Sequence, residues 1–245
     1  MIRLRRPSWF AVLLTLFGVV FFVRLGVWQL HRAAEKEVLL RRFATAATAP
    51  IQDFASVQRG ALPERYPHLA VRGHFVAGRS YMLDDQNKGG RPGVQVYAPF
   101  QPDGHPRLLL VDLGFLPREG ADLKLPQLPP IQSGEVELRG IYVPPPAPGF
   151  KMGGNALARE TTWPKLTTYI DMDQIAADLH ATLYPRALLL DADPAQAYVR
   201  EWTPGFMPPA RHYGYAFQWF SFAIAAIAIF VIMHRKKPET GDDDE

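Results

Sequence analysis

Two long apolar runs, one near each end of the chain, constrain the fold more than any other feature of the sequence. The first is WFAVLLTLFGVVFFV, Trp9 to Val23, continuing less purely through RLGVW to Trp28; the second is YGYAFQWFSFAIAAIAIFVIM, Tyr213 to Met233. A helix needs about 20 such residues to cross a bilayer core of about 30 Å. Both runs meet that length if Arg24 lifts its guanidinium to the interface along its aliphatic stem. The expected membrane helices are residues 8–29 and 212–233.

Charge placement orients them. Arg3, Arg5 and Arg6 precede the first run, and Arg235, Lys236 and Lys237 lie just beyond the second. Basic flanks mark the cytoplasmic side. Residues 1–7 and the tail 234–245 are therefore expected in the cytoplasm, with residues 30–211 on the far side. The first run also has the basic-then-apolar order of a secretory signal. A cleavage site needs small residues, however, and the run leads instead into RLGVWQLHR, so it reads as an uncleaved anchor. The placement of these basic residues thus points to the lipid bilayer as partner. The outer segment shows no stripe of basic residues interleaved with aromatics, and no nucleic-acid partner is expected.

The sequence contains no cysteine. That removes disulfides, thiolate metal sites, cysteine nucleophiles and covalent haem attachment. After the first span, WQLHRAAEKEVLLRRFATAA contains neither proline nor glycine, and the spacing predicts one helix continuing to Ala49-Pro50. Beyond Tyr66 the texture changes. HLAVRGHFV, SYMLDD, GVQVYAPF, RLLLVDLGFL, EVELRGIYV and ALLLDAD read as strands, separated by turn-forming stretches such as QNKGGRPG and PDGHPR. DMDQIAADL reads as a helix capped by Asp171. YVPPPAPGF and PGFMPPAR read as extended proline segments. The expected fold class is a membrane protein of α+β type: two transmembrane helices flanking one antiparallel β-rich extracytoplasmic domain.

Enzyme signatures are missing. There is no G-x-S-x-G elbow, H-E-x-x-H helix or G-x-x-x-x-G-K-[ST] loop. Asp84-Asp85 and Asp191/Asp193 are paired carboxylates, but each pair sits at a strand end, where aspartate commonly serves turns. His68 and His74 can share a strand face but lack a third metal ligand. No catalytic residue is assigned, and the chain is read as a non-enzyme.

The membrane boundary carries more. On helical spacing His212 begins a stripe through Ala216, Trp219, Ala223 and Ala226. Small residues on such a stripe let a helix or a flat ligand approach closely. An imidazole at its top can donate to a haem iron. Equally, Tyr213, Tyr215, Trp219 and His212 form the amphipathic ring belt common at headgroup depth. Spacing alone leaves both readings open. Trp28 and Gln29 fall at the same depth as Gln218 and Trp219, which invites a Gln29–Gln218 hydrogen bond as structural glue.

Three motif blocks then identify a resemblance. The first is G-x-W-Q-x-x-R-x-x-x-K (Gly26, Trp28, Gln29, Arg32, Lys36). The second is L-D-D-Q-N-K-G-G-R-P-G-V-Q-V-Y-A-P-F with L-L-V-D-L-G-F-L-P-R after it. The third is V-R-E-W leading through P-P-A-R-H-Y-G-Y-A-F-Q-W-F. In this order, and over nearly the whole chain, they resemble the surfeit locus protein 1 family, assembly factors of haem–copper cytochrome oxidases. One departure stands out: where the family usually reads Arg-Gly-Trp before Val-Pro, this chain has Leu113-Gly114-Phe115 before Leu116-Pro117.

The resemblance implies a multi-pass protein of the bacterial inner membrane with a periplasmic domain. Its partners would be the oxidase catalytic subunit and the haem A synthesis enzymes. Its cofactor would be haem A, held transiently with His212 on the iron. Tyr215, Gln218, Trp219, Trp28 and Gln29 would line the pocket, and Arg32 and Arg211 would meet the propionates. The lack of cysteine agrees, because copper delivery calls for soft thiolate ligands. Two rivals remain: a scaffold that clamps the nascent subunit without haem, and a periplasmic small-ligand sensor or transport accessory.

Overall fold

The computed structural model describes residues 6–58, 66–146, 154–200 and 207–235. Arg3, Arg5, the end of YVPPPAPGF, Glu201-Trp202 of V-R-E-W, Pro204-Gly205-Phe206, Lys236, Lys237 and the acidic tail lie outside them. The uninterrupted sequence after the first run forms a single helix, α1 (Trp9–Thr48), which stops one residue before Ala49-Pro50. Ser8 opens it, its Oγ accepting the Ala11 amide at 3.2 Å. The second run forms α4 (Pro209–Met233), with a proline at the first helical position, where an amide N–H has no intrahelical partner anyway. Both helices are long and apolar enough to cross a membrane. Their large apolar side chains, among them Phe10, Leu13, Phe17, Phe217 and Ile224, are mostly exposed, as lipid-facing residues are.

The chain divides into two compact units, one holding residues up to Arg41 together with those from Phe206, the other running from Arg42 to Gly205. The second unit is built on β1 (Gln52–Asp53), β2 (His68–Phe75), β3 (Tyr81–Lys88), β4 (Arg91–Pro102), β5 (Leu108–Pro117), β6 (Val136–Val143), β7 (Lys165–Thr167) and β8 (Leu183–Leu190). Two short helices, α2 (Phe54–Gln58) and α3 (Met172–Leu179), complete it. The Gly89-Gly90 pair turns β3 into β4, as the glycine-rich stretch requires.

Strands β2, β6, β8, β5 and β4 pair in that order, and β2 returns to β4, closing a barrel. Gly73 sits at the closure, with Val136 of β6 and Pro102 of β4 as partners. A Cβ there would lie 2.0 Å from the Gln101 carbonyl oxygen, so only glycine lets β2 serve both neighbours. Pairing is antiparallel except for β1–β2, β3–β7 and β5–β8, which are parallel. The last departs from a simple meander because β6, β7 and α3 intervene between β5 and β8, giving the long crossover a parallel pair needs.

Alternate residues of the barrel strands fill its interior. Leu69, Val71, Val94, Val96, Ala98, Phe100, Leu109, Val111 and Leu188 form one apolar cluster, and Phe54 from α2 joins it with its ring edge-on to Tyr142 and Tyr184. A second cluster lies on the outer face, where Ile175 of α3 packs with Tyr81, Tyr97, Leu110 and Ala187. Burying β5 on both sides explains its near-continuous apolar sequence. Asp171 caps α3, its carboxylate accepting the amides of Asp173 and Gln174.

Candidate functional site

Residues facing each other across the helix pair recur at helical spacing on both partners. On α4, His212, Ala216 and Ala223 are buried and Trp219 is half-buried, as the small-residue stripe requires. On α1 the facing residues are Phe22, Gly26 and Gln29. Phe22 stacks on Trp219 with ring centroids 5.9 Å apart, and Phe222 meets both rings edge-on. Gly26 lies under the Phe220 ring, where a Cβ would come within 2.7 Å of it. That close approach sets how far apart the two helices stand at this height.

One turn further along α1, Gln29 reaches His212. Its Oε1 lies 2.7 Å from His212 Nδ1, and the imidazole is 8% exposed. The other ring nitrogen, Nε2, is buried and has no hydrogen-bond partner among the described residues. A buried polar atom without a partner is rare, because desolvation is left uncompensated. A histidine that ligates a metal characteristically shows this pattern: one nitrogen bonded to a carbonyl or carboxylate, the other left to donate its lone pair. The donor set therefore fits a haem iron, with aromatic rings of Phe22, Trp219 and Phe222 nearby on the same pair of helices.

The other residues expected at this site are placed differently. Gln29 bonds to His212 rather than to Gln218, which is exposed, as are Tyr215, Trp28 and Arg211. Arg32 is exposed too, bonded to Glu35 at 2.8 Å and lying 5.8 Å above the Trp28 ring. An exposed ion pair of this kind holds its side chains weakly and is readily exchanged for another anion. Sequence reasoning missed a further tie: the Tyr213 hydroxyl donates to Glu37 at 2.9 Å, bracing α4 against α1.

In the second unit, the paired carboxylates are structural. Asp84 binds Arg118 at 2.6 Å, and Asp85 lies in the bulge of β3 with φ of 57°. Asp191 receives His68 Nε2 at 3.0 Å, while Asp193 caps a turn at Ala195. His74 lines an apolar groove of about 680 Å³ with Phe75, Leu128, Ile131 and Trp163, which holds none of the expected site residues. Among the described residues no three acidic or histidine side chains gather to hold a metal ion.

The central motif and V-R-E-W meet in this unit. Phe115 and Val199 exchange backbone hydrogen bonds at 2.9 Å each, and Arg200 donates from Nε to the Leu113 carbonyl at 2.9 Å. Beside them Asp112 is buried, accepting from Gln95 and from the Gly114 amide on one carboxylate oxygen. Burial pushes its pKa up to about 6, against the pull of those donors and of Lys88 and Tyr97. Burial, and then the neighbouring Asp112 carboxylate, holds the Tyr97 hydroxyl well above the usual phenol range.

Comparison with known proteins agrees with the motifs. A SURF1-like protein from Rickettsia bellii (strain RML369-C) is 30% identical over 105 residues, which span 42% of this chain and 42% of that protein. The model of the SURF1 family matches residues 16–224, from the first helix, through every barrel strand, to beyond Trp219 in the last helix. The chain belongs to the SURF1 family.

Proposed function

We propose that the protein is an assembly factor for a haem–copper cytochrome oxidase, and that it holds haem A between its two membrane helices for insertion into the catalytic subunit. The observation that carries this reading is His212, with Nδ1 on Gln29 and Nε2 buried and without a partner among the described residues. An imidazole in that state keeps its Nε2 lone pair for an iron, which reaches it once the side chains that now cover the nitrogen part. Trp219, Phe22 and Phe222 supply apolar surface for a macrocycle, and Arg32 and Arg211, on the two helices, are exposed for propionates. Haem A is cargo here and not a resident catalyst. A single protein ligand suits release, since one coordinate bond has to break.

In this reading the helices lie in a bacterial inner membrane with both termini cytoplasmic and the barrel unit periplasmic, as the basic flanks argue. No bond of a substrate is made or broken, so the protein is a chaperone and not an enzyme. The test is co-expression with the haem A synthesis enzymes, purification in detergent, and reduced-minus-oxidised spectra of the wild type and His212→Ala. A haem A band that the variant loses or shifts at equal yield is the expected result. No haem in either protein, with the oxidase still failing to assemble when the gene is deleted, overturns haem custody and leaves a haem-free scaffold for the nascent subunit.

A further inference from the structure

The Gln29–His212 hydrogen bond does more than join two helices. The two side chains come from different helices of the same compact unit, and they meet at 2.7 Å. As the amide is placed, Gln29 Oε1 faces the ring and accepts, which puts the shared proton on His212 Nδ1; the amide turned over would set its NH2 against Nδ1 and call for a proton on Nε2. Neutral imidazole carries one N–H, and Nε2 is then left with its lone pair. The opposite tautomer, paired with the turned-over amide, would bury an Nε2–H donor where no acceptor stands among the described residues. The helix spacing that brings the pair together is set three residues earlier, where Gly26 admits the Phe220 ring.

We infer that Gln29 is the positioning residue for His212: by accepting the Nδ1 proton it fixes the tautomer and the ring orientation that leave Nε2 ready to ligate iron. The inference rests on the haem reading above for its purpose, but the tautomer itself is a property of the haem-free protein. Gln29 touches no iron in this scheme; it acts through the imidazole. A neutral carbonyl also sets the donor strength of the ring, since an anionic acceptor on Nδ1 makes the imidazole a stronger electron donor and an apolar neighbour makes it weaker.

The experiment has a haem-free arm and a haem-bound arm. Full-length protein labelled with nitrogen-15 in its histidines is purified without haem in detergent, and the His212 signals are assigned by their loss in His212→Ala. The wild type is expected to show a protonated Nδ1 and an unprotonated Nε2. Gln29→Glu should retain that pattern, and Gln29→Leu should shift population toward the Nε2–H form. In haem A-loaded protein, the midpoint potential should fall in Gln29→Glu and rise in Gln29→Leu relative to the wild type. Retention of the wild-type circular dichroism by Gln29→Glu guards against a folding defect. A wild-type His212 protonated on Nε2, or the same tautomer and potential in all three proteins, overturns the assignment. A wild type that shows the Nδ1–H form but takes up no haem overturns the haem reading and supports Gln29 as the residue that sets the tautomer.

Discussion

Asp112→Asn isolates the energetic effect of one buried carboxylate. Asp112 is 7% exposed, on the outer face of β5, and it accepts from the Gln95 side chain and the Gly114 amide on the same oxygen. Burial raises its pKa from 3.8 to about 6. The folded protein therefore holds this proton over a pH range in which the unfolded chain has released it. The stabilisation is complete below the unfolded value and is lost as pH rises through the folded one. A displacement of that size is worth about 3 kcal/mol. The amide of the variant keeps an oxygen for Gln95 and Gly114 but carries no charge to desolvate. The variant should thus match the wild type near about pH 4 and exceed it by about 3 kcal/mol near about pH 7. Urea unfolding of the full-length protein in detergent, monitored by the β-sheet circular dichroism signal at stepped pH, reads the difference, and the subtraction cancels every other titrating group. A gap between the two proteins that stays constant with pH refutes the reasoning, because the carboxylate would then titrate alike in both states.

The packing dictates three further outcomes. Phe54→Ala removes a ring that is 2% exposed and edge-on to Tyr142, Tyr184 and His105, and should cost about 3–5 kcal/mol in the same unfolding assay. Gly73→Ala forces a Cβ to within 2.0 Å of the Gln101 carbonyl and should open the β2–β4 seam, read as faster hydrogen exchange of the Val76 and Asp103 amides, which donate across it to Pro99 and Arg72. Gly26→Ile should push the Phe220 ring away and part the helices. Its signature is loss of the His212 Nδ1–H signal with the barrel's unfolding midpoint unchanged, whereas Gly18→Ala, with open space at its Cβ, should leave both as they are.

Much of the fold was legible because local chemistry dictates it. The absence of helix breakers up to Ala49-Pro50 foretells an α1 that ends at Thr48, and the glycine pair in QNKGGRPG foretells the β3–β4 hairpin. Asp171 caps α3 as its position before an apolar-periodic segment suggests. Barrel closure and the parallel β5–β8 pair were not legible, because they depend on which distant strands meet and not on any single strand's pattern. In the site, helical spacing finds the His212 stripe but not its partner. Matching by depth alone puts Gln218 opposite Gln29. Gln218 is six residues beyond His212, about 120° round the helix, and it faces outward. The Gln29–His212 bond forms one turn from where Gly26 admits the Phe220 ring, and that close approach is a property of the pair that neither sequence segment carries alone.

The departure at Leu113 takes on a different meaning in its surroundings. By sequence, the arginine usual at this position suggests a contact with a partner or a haem propionate that leucine cannot make. Leu113 is 3% exposed and belongs to the cluster that fills the barrel, beside Val111 and Leu109. A guanidinium taking the same direction would be buried among aliphatic side chains, where an unpaired charge is among the most costly groups a core can hold. A cation is nevertheless present at this point of the fold, because Arg200 donates to the Leu113 and Asp191 carbonyls, near the Asp112 and Asp193 charges. Leucine at 113 is thus matched to its environment, and the positive charge beside β5 comes from the V-R-E-W segment. The residues that carry the family resemblance accordingly divide by physical role. Those on the helices join α1 to α4 through the Gln29–His212 hydrogen bond and the close approach at Gly26, whereas those on β4, β5 and the Val199-Arg200 segment lock a buried carboxylate and a guanidinium into the wall of the barrel.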